Sequence, residues 1–270
     1  MGADQSEEST SIPDGVVVYN RFIRVRNVLL SEVDMAPLFK RLQKHREEHG
    51  IHVPEPLDGL FHDLLAAITL HGASRPRNEL LAWTIRYADP VVSYFFGADT
   101  ELGTVVGRFF DQNVKEAPMG EMHQELHRPG KEPHRSMIEF DGKEAASAIN
   151  QFYEVSEQRP AFFMKMGGTH YALVSAHPDY DEGWFTHLNQ EIIREAPEKE
   201  TLNLLEKRQY YWLCGCSHEK LMDMLAPMMK ENPAQIFGND DTASINCPRC
   251  TANYTINRAE LQAVADKLED

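Results

Sequence analysis

Residues 16–30, VVVYNRFIRVRNVLL, are rich in β-branched side chains and predict a strand. MAPLFKRLQKHREEHG (35–50) predicts a helix closed by Gly50. In the next segment Leu57, Leu60, Phe61, Leu64, Leu65 and Ile68 recur at the spacing of a helix with one buried face. LLAWTIRY then alternates large apolar residues at Leu81, Trp83, Ile85 and Tyr87 with smaller or polar ones, and VVSYFFGA and LGTVVGRFF follow as meander partners. Residues 113–136 are polar and punctuated by Pro and Gly, which predicts a long loop with at most one weak strand. KEAASAINQFYEVSEQ places Ala145, Ile149, Phe152 and Tyr153 on one helix face, and PAFFMKMGGTHYALVSA predicts a hairpin turning at Gly167–Gly168.

From about residue 178 the pattern changes. DYDEGWFTHLNQEIIREAPEKETLNLLEKRQ is strongly charged, helical in period and sparsely apolar. It predicts helices resting loosely on another body, or a structured linker. The last of them, from Glu200 through Lys207 and Arg208, has a buried stripe of little more than Leu202 and Leu205. Ser217 is a good N-cap for a helix carrying Leu221, Leu225 and Met228. Asn257 with Glu260 caps a final helix with Leu261, Val264 and Leu268 inward.

Composition narrows the reading. A chain of 270 residues suits one large or two modest domains. Its formal net charge of −15 argues against nucleic-acid backbones and anionic membrane surfaces as partners. No apolar run approaches the ~18 residues of a membrane span, and LLAAITL is the longest notable one. The acidic start, residues 1–14, reads as a disordered tail without signal or transit character. Gly2 and Ser6 fit the loose myristoylation pattern, but no basic patch follows to secure a single acyl chain. A cytoplasmic location, where thiols stay reduced, is the expectation.

All four cysteines lie in the last 57 residues: Cys214-x-Cys216, thirty residues, then Cys247-x-x-Cys250. Two close pairs joined by a loop are how a tetrahedral Cys₄ zinc site is made. A helix beginning at Ser217 aims its N-terminal dipole at Cys216 and favours the thiolate. CPRCTANYTI reads as a knuckle leading into a strand. The region is small enough to depend on its metal, since structural zinc contributes on the order of 10–16 kcal/mol of coupled folding free energy. Two readings stand side by side. One is a purely structural knuckle. The other is a redox switch, in which oxidation to disulfides expels the metal and unfolds the region. Each pair is close enough to bridge internally, the one-residue pair under strain. His218 is an alternative fourth ligand.

HREEH (45–49) fits an inverted zinc-peptidase pattern, but no third ligand is evident, and histidines suit a helix C-terminus anyway. No phosphate-cradling glycine loop, nucleophile elbow or marked carboxylate pair is present in the sequence, so the chain reads as no enzyme.

The chain resembles the heat shock protein 33 family of redox-regulated holdase chaperones, as a divergent member. The cysteine spacing carries the resemblance. So do INQFYEVSEQRP (149–160), similar to the family's helix ending in Ser-Glu-Gln-x-Pro, LLAAITL, VVYNRFIRVRNVLL and the charged DEGWFTHLNQEI. The match runs from about 15 to 270.

The resemblance implies an α+β fold: an N-terminal mixed α/β domain with a mainly antiparallel sheet (15–177), a charged helical linker (178–209) and a small C-terminal zinc-binding domain (210–270). It implies one Zn²⁺ per reduced chain on Cys214, Cys216, Cys247 and Cys250, and disulfides Cys214–Cys216 and Cys247–Cys250 when oxidised. The implied function is an ATP-independent, redox-regulated holdase of the stress response. It binds unfolding client proteins and is a possible homodimer when oxidised. The rival from another class is a zinc-knuckle adaptor that never switches. Two segments differ from the family pattern: the stretch before Cys214 is short, and 113–136 is unusually polar. The short stretch leads to the expectation that losing zinc alone opens the linker.

Overall fold

The computed structural model describes residues 15–267; the acidic tail and Leu268 lie outside them. The chain opens with two strands, β1 (Val16–Ile23) and β2 (Val28–Asp34), where the sequence predicted one. Asn27, at φ +54°, turns the chain between them. Two helices follow, α1 (Ala36–His49) and α2 (Glu55–Ala73). Gly50 ends α1 as expected: at φ +62° it adopts the left-handed conformation that glycine takes without strain. A meander of β3 (Leu80–Ala88), β4 (Val91–Asp99) and β5 (Thr104–Phe110) comes next.

The expected long polar loop is instead a hairpin, β6 (Gly120–His127) and β7 (His134–Phe140). Its outer face meets solvent and is polar, so only Met122, Gln124 and Leu126 betray the strand period on β6. Gln124 is buried despite its polarity because it accepts a hydrogen bond from the Trp83 indole N–H at 2.9 Å. Helix α3 (Ala145–Val155) and the hairpin β8 (Ala161–Gly167) and β9 (His170–Ala176) form as predicted.

The charged segment begins with α4 (Glu182–Phe185) and α5 (Gln190–Lys199). The helix expected from Glu200 to Arg208 does not exist. Residues Leu202–Trp212 are a strand, β10. Leu204 and Leu205 stand exposed, while Arg208, Tyr210 and Trp212 alternate inward. The C-terminal part holds α6 (His218–Glu231), α7 (Pro233–Phe237), β11 (Thr242–Asn246), β12 (Asn253–Asn257) and α8 (Arg258–Asp266).

Ten strands make one sheet in the order β7-β6-β3-β4-β5-β10-β1-β2-β9-β8. Every pairing is antiparallel except β10 with β5, which is parallel and spans only Tyr211 and Trp212 opposite Thr104 and Val105. Along the rest of its length β10 pairs with β1, Tyr210 opposite Val16 through Leu202 opposite Ile23. Thus β10 joins two half-sheets that no other strand connects.

Helix α2 lies across both halves, touching β1, β2, β4, β5 and β9. Its periodicity predicted one buried face, yet from Leu64 to Ala73 every residue is buried, because sheet and α3 enclose it. Arg208 on β10 reaches the Gly72 carbonyl at its end, and Asn20 the Ala73 carbonyl at 2.6 Å. On the sheet's other face, Ile23, Val28, Leu30, Met164, Ala172 and Val174 are covered by Leu188, Ile193 and Ala196 of the α4–α5 segment. Arg26 clamps both ends of that segment, pairing with Asp181 at 2.6 Å and Glu200 at 2.8 Å. A third, smaller core joins α6, α7, β12 and α8 around Met222, Phe237, Ile256 and Leu261.

Candidate metal centre

Four local devices place the cysteines. Trp212, the last residue of β10, is only 3% exposed, so the chain leaves the sheet at a fixed point two residues before Cys214. Gly215 then turns at φ +70°, which lets Cys214 and Cys216 face the same way. Ser217 caps α6 as the sequence predicted, its hydroxyl accepting from the Lys220 N–H at 3.2 Å. The Lys220 ammonium folds back onto the Gly215 carbonyl. On the other side, the Cys247 carbonyl accepts from Thr251 N–H, the Cys247 N–H donates to the Ala252 carbonyl, and Thr251 takes φ +65°. This tight turn is the knuckle read from CPRC.

The four sulfurs converge. All lie within 4.8 Å of one another, with Cys214–Cys247 at 3.6 Å and Cys216–Cys250 at 3.5 Å. A tetrahedron with metal–sulfur bonds of ~2.3 Å has edges of about 3.8 Å. Cys247 and Cys250 are buried and Cys214 and Cys216 half-buried, so the cluster has a closed side and an open one. The contacts at 3.6 and 3.5 Å both join a cysteine of one pair to a cysteine of the other.

Electrostatics point the same way. Hydrogen bonds from Cys214 and Cys250 hold the Cys247 thiol well below its ordinary pKa, helped by the Arg249 N–H. The hydrogen bond to Cys247 pushes Cys214 up to about 12. Cys250 is raised as well, chiefly by its bonds to Cys214 and Cys247. Protons alone therefore cannot leave four thiolates in this space. A divalent ion can, because its charge replaces the protons, and an all-thiolate set suits zinc. Cys214, Cys216, Cys247 and Cys250 thus fit a Cys₄ zinc site. His218 does not join them; it stands exposed at the first turn of α6.

The cluster is seated on the sheet. Cys247, Cys250 and Ala252 belong to the same continuous core as Phe61, Phe96 and Trp212. Two side chains hold the knuckle by the carbonyls of its cysteines: Arg108 of β5 donates to Cys247 O at 3.3 Å, and His45 Nε2 lies 3.0 Å from Cys250 O. Arg108 stacks on Phe110 at 4.1 Å and has no carboxylate partner among the described residues. Burial lowers its pKa while Cys247 and Cys250 raise it, so the sulfurs are its nearest source of negative charge. The Tyr254 hydroxyl is 3.3 Å from Cys216 Sγ. Sequence reading missed Arg108, His45 and Tyr254 as neighbours of the cluster. Only Tyr254, four residues after Cys250, carried a local signal.

Among the described residues no helix is long and apolar enough to cross a membrane. Residues 172–257 match a family model described as Hsp33 protein. The 33 kDa chaperonin of Proteus mirabilis is 21% identical, with 91% of this chain and 95% of that protein covered. That of Geobacter sulfurreducens is 23% identical over 51% of this chain and 55% of the other. The crystal structure of the 33 kDa chaperonin (heat shock protein 33 homolog) of Thermotoga maritima superposes with a TM-score of 0.68. It covers 95% of this chain and all of that one at 16% identity, a likeness of fold.

Proposed function

We propose that the chain is a divergent member of the heat shock protein 33 family and, on that premise, a redox-regulated, ATP-independent holdase chaperone. The carrying observation is a Cys₄ cluster that converges to zinc-binding geometry while seated against the sheet's core. In this reading the chain divides as its sequence suggests, into a tail (1–14), a chaperone domain (15–177), a linker (178–209) and a switch domain (210–270).

Reduced, the four thiolates hold one Zn²⁺, which supplies the charge balance that keeps all four ionised. Under oxidative stress the two thiolates of each pair lose two electrons and join as one disulfide. Hydrogen peroxide accepts those electrons and, with two protons, leaves as two waters. The pairs formed are Cys214–Cys216 and Cys247–Cys250. With its ligands gone, the region after Cys214 loses the ~10–16 kcal/mol that metal coordination contributes to a small domain. Its remaining core, built on Met222, Phe237 and Leu261, is small.

Undocking of the knuckle exposes apolar side chains it covered, among them Leu42, Val53, Phe61 and Trp212. A further opening of the α4–α5 segment would bare Ile23, Leu30 and Val174. Unfolding client proteins bind such surfaces, and the charge of −15 keeps the loaded complex dispersed. Arg108 and His45 position the knuckle through the carbonyls of Cys247 and Cys250.

Treating purified protein with peroxide or hypochlorous acid tests the reading. Zinc release and thiol loss should rise in step with suppression of aggregation of an unrelated client, without nucleotide. Zinc retained through oxidation, or client protection equal in the reduced protein, would leave only a fixed adaptor.

A further inference from the structure

The H-x-x-E-H pattern of α1 contributes no sulfur ligand, yet the fold sets it against the cysteine cluster. His45, Glu48 and His49 each offer one ligand atom, and those atoms lie within 4.8 Å of one another. Positions i, i+3 and i+4 share a helix face, which brings the three together. His45 Nε2 is 3.0 Å from the Cys250 carbonyl oxygen. A carbonyl only accepts, so Nε2 carries the proton and Nδ1 keeps its lone pair. Metal-binding imidazoles are held this way, one ring nitrogen donating to a carbonyl and the other left for the ion. The His49 ring lies 5.8 Å from that of Tyr254, whose hydroxyl meets Cys216. The trio therefore adjoins both cysteine pairs.

We propose that His45, Glu48 and His49 form a second site for a divalent transition-metal ion such as Zn²⁺, weaker than the cysteine cluster and placed to receive the ion that the cluster gives up when its thiolates are oxidised. The receiving role rests on the redox reading above; the site itself does not. Two imidazoles and a carboxylate are a recurrent zinc ligand set that leaves a position for water. The site is the weaker one for two reasons. It offers one negative charge where the cluster offers four. Its carboxylate is also already paired with Arg41 at 3.4 Å and Lys44 at 3.9 Å, contacts an ion must displace. Oxidation reverses the order, because two disulfides leave no thiolate to bind. The transfer is an exchange of ligands in which the ion keeps its charge. The four electrons of the four sulfurs go to two molecules of peroxide, which leave with four protons as four waters.

The test uses the full-length reduced protein with its cluster saturated with zinc. Titrated with further Zn²⁺, wild type should take a second, weaker equivalent. Co²⁺ offered as that second ion should give d–d bands without thiolate charge transfer. His49→Gln and Glu48→Gln leave the sulfurs and the His45–Cys250 contact in place. Each should weaken the second step at least about tenfold and leave the first unchanged. On adding peroxide with a chromogenic chelator in solution, zinc should appear later than thiol loss in wild type and together with it in His49→Gln. A wild type that takes one equivalent only, or a second step undiminished in both variants, overturns the site. Zinc release that tracks thiol loss equally in wild type and His49→Gln overturns the receiving role. Zinc that never leaves the oxidised cluster would overturn the redox reading, and the receiving role with it, while the titration still judges the site.

Discussion

Removing zinc without oxidising the protein should leave β10 in place. A short helix held by Leu202 and Leu205 would rest on roughly 3–6 kcal/mol of burial and would follow the metal. Strand β10 rests on something else. Tyr210 is fully buried and Trp212 is 3% exposed. Side chains of this size bury ~150–250 Å² each. At ~25 cal/mol/Å² the pair contributes about 8–12 kcal/mol before ordering entropy is subtracted. The ladder to β1 and the Arg208 bond to Gly72 add to this, and neither involves a sulfur; of the two aromatic side chains only Trp212 shares its burial with the knuckle. Opening β10 also separates the two half-sheets, so it approaches the cost of global unfolding.

The assay is hydrogen exchange at moderate temperature on zinc-loaded, chelated and oxidised protein. Amides of 214–267 should lose protection on chelation. Those of 203–211 should keep it within about tenfold, a change of ~1.4 kcal/mol. The α4–α5 segment, docked through Leu188, Ile193 and Ala196, should keep its protection too until heat or denaturant is added. Loss of protection in 203–211 in step with 242–257 would refute the reasoning and restore zinc as the sole lock. The packing of β10 thus argues against the expectation drawn from the short linker, and the switch proposed above would then need a second destabilising stress to open.

Three further outcomes follow from named contacts. Arg108→Met should weaken zinc binding by about tenfold in a chelator competition, as loss of a supporting group around metal ligands does, and Arg108→Lys should retain most of the affinity; equal affinity in all three proteins would remove Arg108 from the account. His71 is fully buried against Tyr153 and held neutral, its pKa depressed chiefly by burial. Below the ordinary histidine pKa of about 6.5 the unfolded chain binds a proton that the folded one refuses. Stability should therefore be complete above that pH and fall on acidification by up to ~1.4 kcal/mol per unit from this group. Urea titrations at neutral and mildly acidic pH, with His71→Phe as the flatter control, measure it. Peptide mapping of the oxidised protein should recover Cys214–Cys216 and Cys247–Cys250 links; Cys214–Cys247 or Cys216–Cys250 links, across the sulfur contacts of 3.6 and 3.5 Å, would refute the pairing.

The sequence alone determined the elements whose signals are local. Helices α2 and α3 followed from the 3.6-residue period, α1 from the Gly50 that closes it, the start of α6 from Ser217, and the knuckle from CPRC and its neighbours. The meeting of the four cysteines was legible because they fall in two close pairs joined by a single loop, and the structure brings their sulfurs within 4.8 Å of one another. Tertiary structure decided the rest. EKRQYYW is charged enough to pass for a solvated helix, and it becomes a strand because β1 and β5 leave a gap that its inward Arg208, Tyr210 and Trp212 fill. Gln124 reads as loop until Trp83, 41 residues away, supplies its hydrogen bond. Arg108 and His45 reach the cluster from 139 and 205 residues away, and no periodicity records a contact of that range. A strand's stability and a metal site's surroundings lie in partners distant along the chain, so they come into being only when the chain closes on itself.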